Sequence, residues 1–145
     1  MISRHVRTAS LLVFSVIVAA CSSENAPKAP DPEIVLQALP LADPAQYDRI
    51  QDMKKWRNPY LIVRADGVAL YDSADSAEIL LKTDEVLPAL ARLPGSNWPY
   101  GRVVAAAEIC VRASEQEGVA IRRNKGIVGG LLEGAHVAIK WVPST

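Results

Sequence analysis

Short apolar runs separated by turn residues mark the middle of the chain. Tyr60-Leu61-Ile62-Val63-Arg64 is a β-rich run, Ala65-Asp66-Gly67 supplies an Asp-Gly turn, and Val68-Ala69-Leu70-Tyr71 returns. Two such runs about an Asp-Gly pair predict a hairpin. Ile79-Leu80-Leu81 reads as a short strand beside it, after a loop over 72–77. Upstream, Tyr47, Ile50 and Met53 recur at helical spacing and predict a short helix over 47–56, stopped by Asn58-Pro59.

The pattern then becomes helical. Thr83 or Asp84 caps a helix running to about Arg92, with Asp84 and Glu85 favourable at its positive end, and Pro94-Gly95 stops it. Trp98-Pro99-Tyr100-Gly101 is a turn, and Arg102 to Ala107 is a buried strand. Val119-Ala120-Ile121 reads either as a strand or as the opening of a helix through Leu131-Leu132. Ile121, Asn124 or Lys125, Val128, Leu132 and Ala135 fit the helix, against a cost of about 1 kcal/mol for each of Gly126, Gly129 and Gly130. Gly134 suits its stop, and residues 136–142 form a last strand of period two. Helix-then-strand units after a hairpin predict an α/β (α+β) fold, a small two-layer sandwich with a mixed sheet of about four strands and two main helices.

The N-terminus has a different rhythm. Arg4, His5 and Arg7 precede an apolar run from Ala9 to Ala20, too short to span ~30 Å of hydrocarbon but suited to a signal-peptide core. Val18-Ala19-Ala20-Cys21 resembles the lipobox of bacterial lipoproteins. That resemblance implies cleavage before Cys21 and lipid on its thiol, with each buried methylene worth about 0.8 kcal/mol of anchoring. Ser22 stands where an Asp would, in such lipoproteins, favour the inner membrane, so an outer-membrane anchor is expected over an inner one. Pro27, Pro30, Pro32, Pro40 and Pro44 then make a spacer. Ile34 to Leu39 interrupts it, an apolar patch that either docks on the domain as a short helix or edge strand or touches a partner. The expected division is a signal peptide at 1–20, a lipidated Cys and tether at 21–44, and a globular domain at 45–145.

Charge narrows the partners. Removing Arg4 and Arg7 leaves 14 basic side chains against 16 acids, so nothing draws this chain to nucleic acid. Residues 62–68, 87–93, 102–108 and 131–139 give an order of strand, Asp-Gly turn, strand, helix, strand, helix, Gly and strand. This order is similar to the periplasmic domain of the ExbD and TolR proteins of biopolymer transport, which implies that fold and a habit of protein contact. Those proteins have a transmembrane helix with a functional intramembrane Asp; here a cleaved signal stands instead, so no proton-linked role carries over.

No set of residues announces a reaction, and no cofactor or metal is expected. Of the two histidines, His136 alone follows the signal, beside Ala135 and Val137, and reads as a packed or edge side chain. Cys110, between Ile109 and Val111, reads as a small buried hydrophobe. Asp72, Asp75 and Glu78 lack the alternation and central Gly of a calcium loop. Gly126, Gly130 and Gly134 recur every four residues, a spacing that lets a helix approach its neighbour closely. Two basic clusters are the candidate contact sites: Lys54-Lys55-Trp56-Arg57, where an exposed Trp beside cations suits an interface, and Arg122, Arg123 and Lys125. The expectation is a lipid-anchored, non-enzymatic interaction module facing the periplasm, held to the membrane through Cys21. It would contact an envelope protein, and pairing with a second copy is open to it. The alternative is a small ligand-binding protein or a hydrolase using His136 with Glu108 or Glu133.

Overall fold

The computed structural model describes residues 28–72, 77–109 and 112–143. The expected signal segment, Cys21, Asp75 and Cys110 lie outside the described residues, as does the side chain of Asp72. Five strands, β1 (Tyr60–Val63), β2 (Val68–Asp72), β3 (Ala77–Leu81), β4 (Val103–Glu108) and β5 (Ala138–Trp141), form one mixed sheet. Their order is β3-β2-β1-β4-β5. The hairpin pairs Leu61 with Leu70, and β3 extends it antiparallel with Ile79 opposite Leu70. On the other side β4 runs parallel to β1 and β5 parallel to β4. The fold is α+β, with five strands in place of about four, because the run Ile79-Leu80-Leu81 is a full outer strand.

Helices cover one face. Around the sheet lie α1 (Pro32–Gln37), α2 (Pro44–Tyr47), α3 (Val86–Arg92) and α4 (Glu115–Gly134). Leu61, Val68, Leu70, Val104 and Ala106 meet Leu36 of α1, Val86, Leu87 and Leu90 of α3, and Val128 and Leu132 of α4. Leu36 has no exposed surface. The packed unit therefore begins at α1, earlier than the boundary expected at residue 45. Proline spacing reports local backbone freedom and says nothing of whether a leucine finds a pocket. The apolar patch docks, as a helix capped by the Asp31 carboxylate accepting from Glu33 N at 3.0 Å.

The helical alternative holds over the last third. Ser114 opens α4 with a capping box: its hydroxyl accepts from Glu117 N, and its own N–H donates to Glu117 at 2.7 Å. Those bonds favour the charged carboxylate and hold the Glu117 pKa below its ordinary value. Ile121, Asn124, Val128 and Leu132 are the buried residues, as their spacing predicts. The glycines do not do what their spacing suggested. A Cβ built on Gly126, Gly129, Gly130 or Gly134 meets nothing within 4 Å, so this side of α4 approaches no neighbour among the described residues. Gly126→Ala and Gly130→Ala are accordingly expected to stabilise the chain by about 0.5–1 kcal/mol each. Urea unfolding of the double variant checks this, and a loss of stability would mean that the glycine side of α4 is in contact with something.

The second face is partly covered by residues 44–56. A single helix over 47–56 is not formed; α2 ends at Tyr47, and a separate 3-10 turn covers Met53–Lys55. Asp52 starts the second segment, its carboxylate accepting from Lys54 N at 3.0 Å. Tyr47 and Trp56 pack on Val103 and Ala105. Lys140 of β5 holds this cover down: its ammonium donates to the carbonyls of Tyr47 (2.7 Å), Asp48 (3.1 Å) and Ile50 (2.9 Å).

Candidate functional site

The cover over the second face stops short of the hairpin, and a groove of about 470 Å3 opens there. Pairing register explains its floor. Tyr60 stands opposite Tyr71, and Tyr71 opposite Glu78, so all three share one row; Ile62 and Ala69 share the next. Met53, Lys54 and an edge of Trp56 form the near wall. Glu78 forms the far wall and is ion-paired with Arg64, which also lies 3.8 Å from Asp66. The groove thus has an aromatic and aliphatic floor, an ammonium on one side and a paired carboxylate on the other. Volumes of this order suit a compact ligand or a few side chains of a partner.

Two features fix the near wall. The Asn58 side chain donates to the carbonyls of Gly101 (2.7 Å) and Val103 (2.8 Å) and accepts from Tyr100 N (3.0 Å), joining the entries of β1 and β4. Gly101 then passes against the N-terminal segment at φ +77°, where a Cβ would stand 2.2 Å from the Leu41 carbonyl oxygen. Trp56 donates its indole N–H to Pro59 O at 3.2 Å and packs between Tyr47, edge to face, and a tilted Tyr100, with centroids 5.9 and 5.3 Å away.

Burial pushes the Tyr60 phenol above its ordinary pKa of 10.0. Burial does the same to Tyr47, helped by the nearby charges of Asp48 and Asp43. A raised pKa in the fold means that the folded chain holds these protons more firmly than the unfolded one. The associated stability is fully present below about pH 10 and is lost as pH rises through the folded values. The urea midpoint is expected to fall above about pH 10, and to fall less in Tyr60→Phe. An identical alkaline fall in both proteins would remove Tyr60 as a cause.

The predicted contact residues are scattered. Lys54 lines the groove, and Lys55 and Arg57 are exposed nearby. Trp56 is only 3 % exposed, which corrects the expectation of an exposed indole; aromatic partners more than forty positions downstream and nine upstream close over it. Arg122 and Arg123 project from α4, on the opposite side of the sheet. Lys125 is bonded to Glu108 at 3.1 Å and lies 4.5 Å from the Trp141 ring centroid. The two basic clusters therefore form no common patch. Tyr60, Ile62 and Tyr71 were read from sequence only as parts of the hairpin, Met53 only as a helix position and Glu78 only against a calcium loop, although the pairing of the hairpin places 60, 62 and 71 on one face.

His136 has a backbone role. At φ +57° it ends α4, its N–H bonding Glu133 O and that of Val137 bonding Leu132 O, the paired closure of a Schellman motif. Its ring is exposed, with no hydrogen bond or ion pair among the described residues. Among the described residues there is also no cluster of three metal-ligating side chains, and no helix long and apolar enough to cross a membrane. No family model, curated protein or solved structure compared with this chain matches it.

Proposed function

We propose that this chain is a lipid-anchored envelope protein that acts by binding another protein, and that the groove on the uncovered half of the sheet is its contact surface. The observation that carries this is the groove's makeup: half-buried Tyr60, Ile62 and Tyr71 between the charges of Lys54 and Glu78. Aromatic residues ringed by polar ones mark protein interfaces more than bulk hydrophobicity does. The lipobox-like Cys21 supplies the address, in the periplasm and on the outer membrane by preference to the inner. The hydrolase alternative gains no support from His136, whose conformation serves the end of α4 and whose ring faces solvent without a carboxylate partner among the described residues.

The test is site-specific photo-crosslinking in cells. A crosslinker at Ile62 is expected to capture a discrete envelope protein, whereas one at Arg123 on α4 is not. The adduct at 62 should be lost when Lys54→Glu reverses the charge at the rim, and when Cys21→Ser prevents lipidation. Equal capture from both positions, or capture indifferent to Lys54→Glu, would refute the groove as the contact surface.

A further inference from the structure

The docking of α1 shortens the tether. Residues 22–30 are all that separate Cys21 from Asp31, the cap of the first packed helix. At full extension that span reaches at most ~35 Å. A compact domain of roughly 115 residues is itself about 35 Å across. The domain therefore stays within about one of its own diameters of whatever holds Cys21, and the end that carries α1 is the end held nearest.

That end presents the two most exposed large apolar side chains among the described residues, Leu41 at 73 % and Ile34 at 67 %. Neither is free to fold inward. Leu36 is locked into the core between them. Arg102 then clamps the segment twice, its guanidinium donating to Gln37 O and its N–H to Pro40 O, both at 2.9 Å. Rigidly displayed leucine and isoleucine at the anchored end of a domain suit the boundary between headgroups and acyl chains. The charges nearby are Lys28 and Arg102 against Asp31, Glu33 and Asp43, a slight acidic balance that favours zwitterionic over anionic lipid.

We propose that the surface formed by α1 and Pro40-Leu41 rests on the bilayer that receives the lipid of Cys21, with Ile34 and Leu41 seated in its interfacial zone. This rests on the reading of Cys21 as lipidated. It gives the domain an orientation: β4 starts just past the clamped Arg102, at the end held to the membrane, and the groove lies on the sheet face that α1 does not cover, open to a partner.

The experiment uses the full mature chain in phosphatidylethanolamine–phosphatidylcholine vesicles, in a Cys110→Ser background, with Cys21 lipidation read first from the intact mass. A single introduced cysteine at 34, 41 or 80 carries an environment-sensitive fluorophore, and lipids brominated in their chains quench probes that enter the bilayer. Leu80 is the control, a half-exposed apolar side chain on the outer strand β3. Quenching several-fold stronger at 34 and 41 than at 80 is the expected result. Equal, weak quenching at all three positions of a lipidated, vesicle-bound protein overturns the orientation and leaves the anchor standing. An unmodified Cys21 in the mass spectrum overturns the anchor, and the orientation with it.

Discussion

Asn58→Ala is expected to cost about 3–5 kcal/mol, a large share of the ~5–15 kcal/mol that holds a domain of this size together. The side chain is fully buried and serves three backbone groups, at Tyr100, Gly101 and Val103. Truncation takes this partner from the Val103 carbonyl and the Tyr100 N–H, each loss worth about 1–3 kcal/mol, and leaves the Gly101 carbonyl only its bond from Val103 N. Asn58→Asp should be no milder. It keeps the shape and the acceptor for Tyr100 N, but it turns a carboxylate oxygen toward two carbonyls in place of an amide donor. Urea unfolding followed by Trp fluorescence measures both variants. A loss under 1 kcal/mol in either would mean that the entries of β1 and β4 are held together by something other than this amide.

Leu36→Ala is expected to cost about 2–5 kcal/mol, the usual range for deleting a leucine from a core that cannot collapse to fill the space. The size of the effect decides where the domain begins. A residue in a solvated spacer would change stability by no more than about 0.5 kcal/mol when truncated. Thermal unfolding of Leu36→Ala beside Ile34→Ala, an exposed neighbour on the same helix, separates the cases. A large loss for position 36 alone is the expected pair of results, and two near-zero changes would return α1 to the tether.

The parts of the fold that were legible in sequence are those where one local rule governs. The hairpin follows from the β-rich runs on both sides of Asp66-Gly67, and Gly67 is needed because a Cβ there would stand 2.3 Å from the Leu81 carbonyl oxygen. The buried side of α4 follows from the spacing of Ile121, Val128 and Leu132. Its glycines threatened that reading only while their side of the helix was unknown. Trp56 was misplaced, and the boundary at residue 45 left Leu36 out although docking of its patch was one of the two readings, because their partners are distant in sequence: Tyr100 closes over the indole, and α3 and the sheet receive the leucine. Lys54 was found by its charge, but the rest of the groove depends on which half of a sheet face stays uncovered. That is decided by where residues 44–56 come to rest, and no local pattern encodes it.

Lys140 has a consequence for the order in which the molecule can be completed. Its three bonds reach back 90 to 93 positions, so the cover over the second face is fastened by a strand made long after it. A polypeptide emerges amino end first from a ribosome, and an exported chain emerges the same way from its channel. Until β5 appears, residues 44–50 lack this latch and β4 has an unpaired edge, so an unfinished chain displays its tyrosines and an open strand to proteases and chaperones. The lysine thus ties closure of the cover to the arrival of β5. Limited proteolysis of chains ended at residue 137 and at residue 145 should show the difference as rapid cleavage within 44–56 in the shorter one alone.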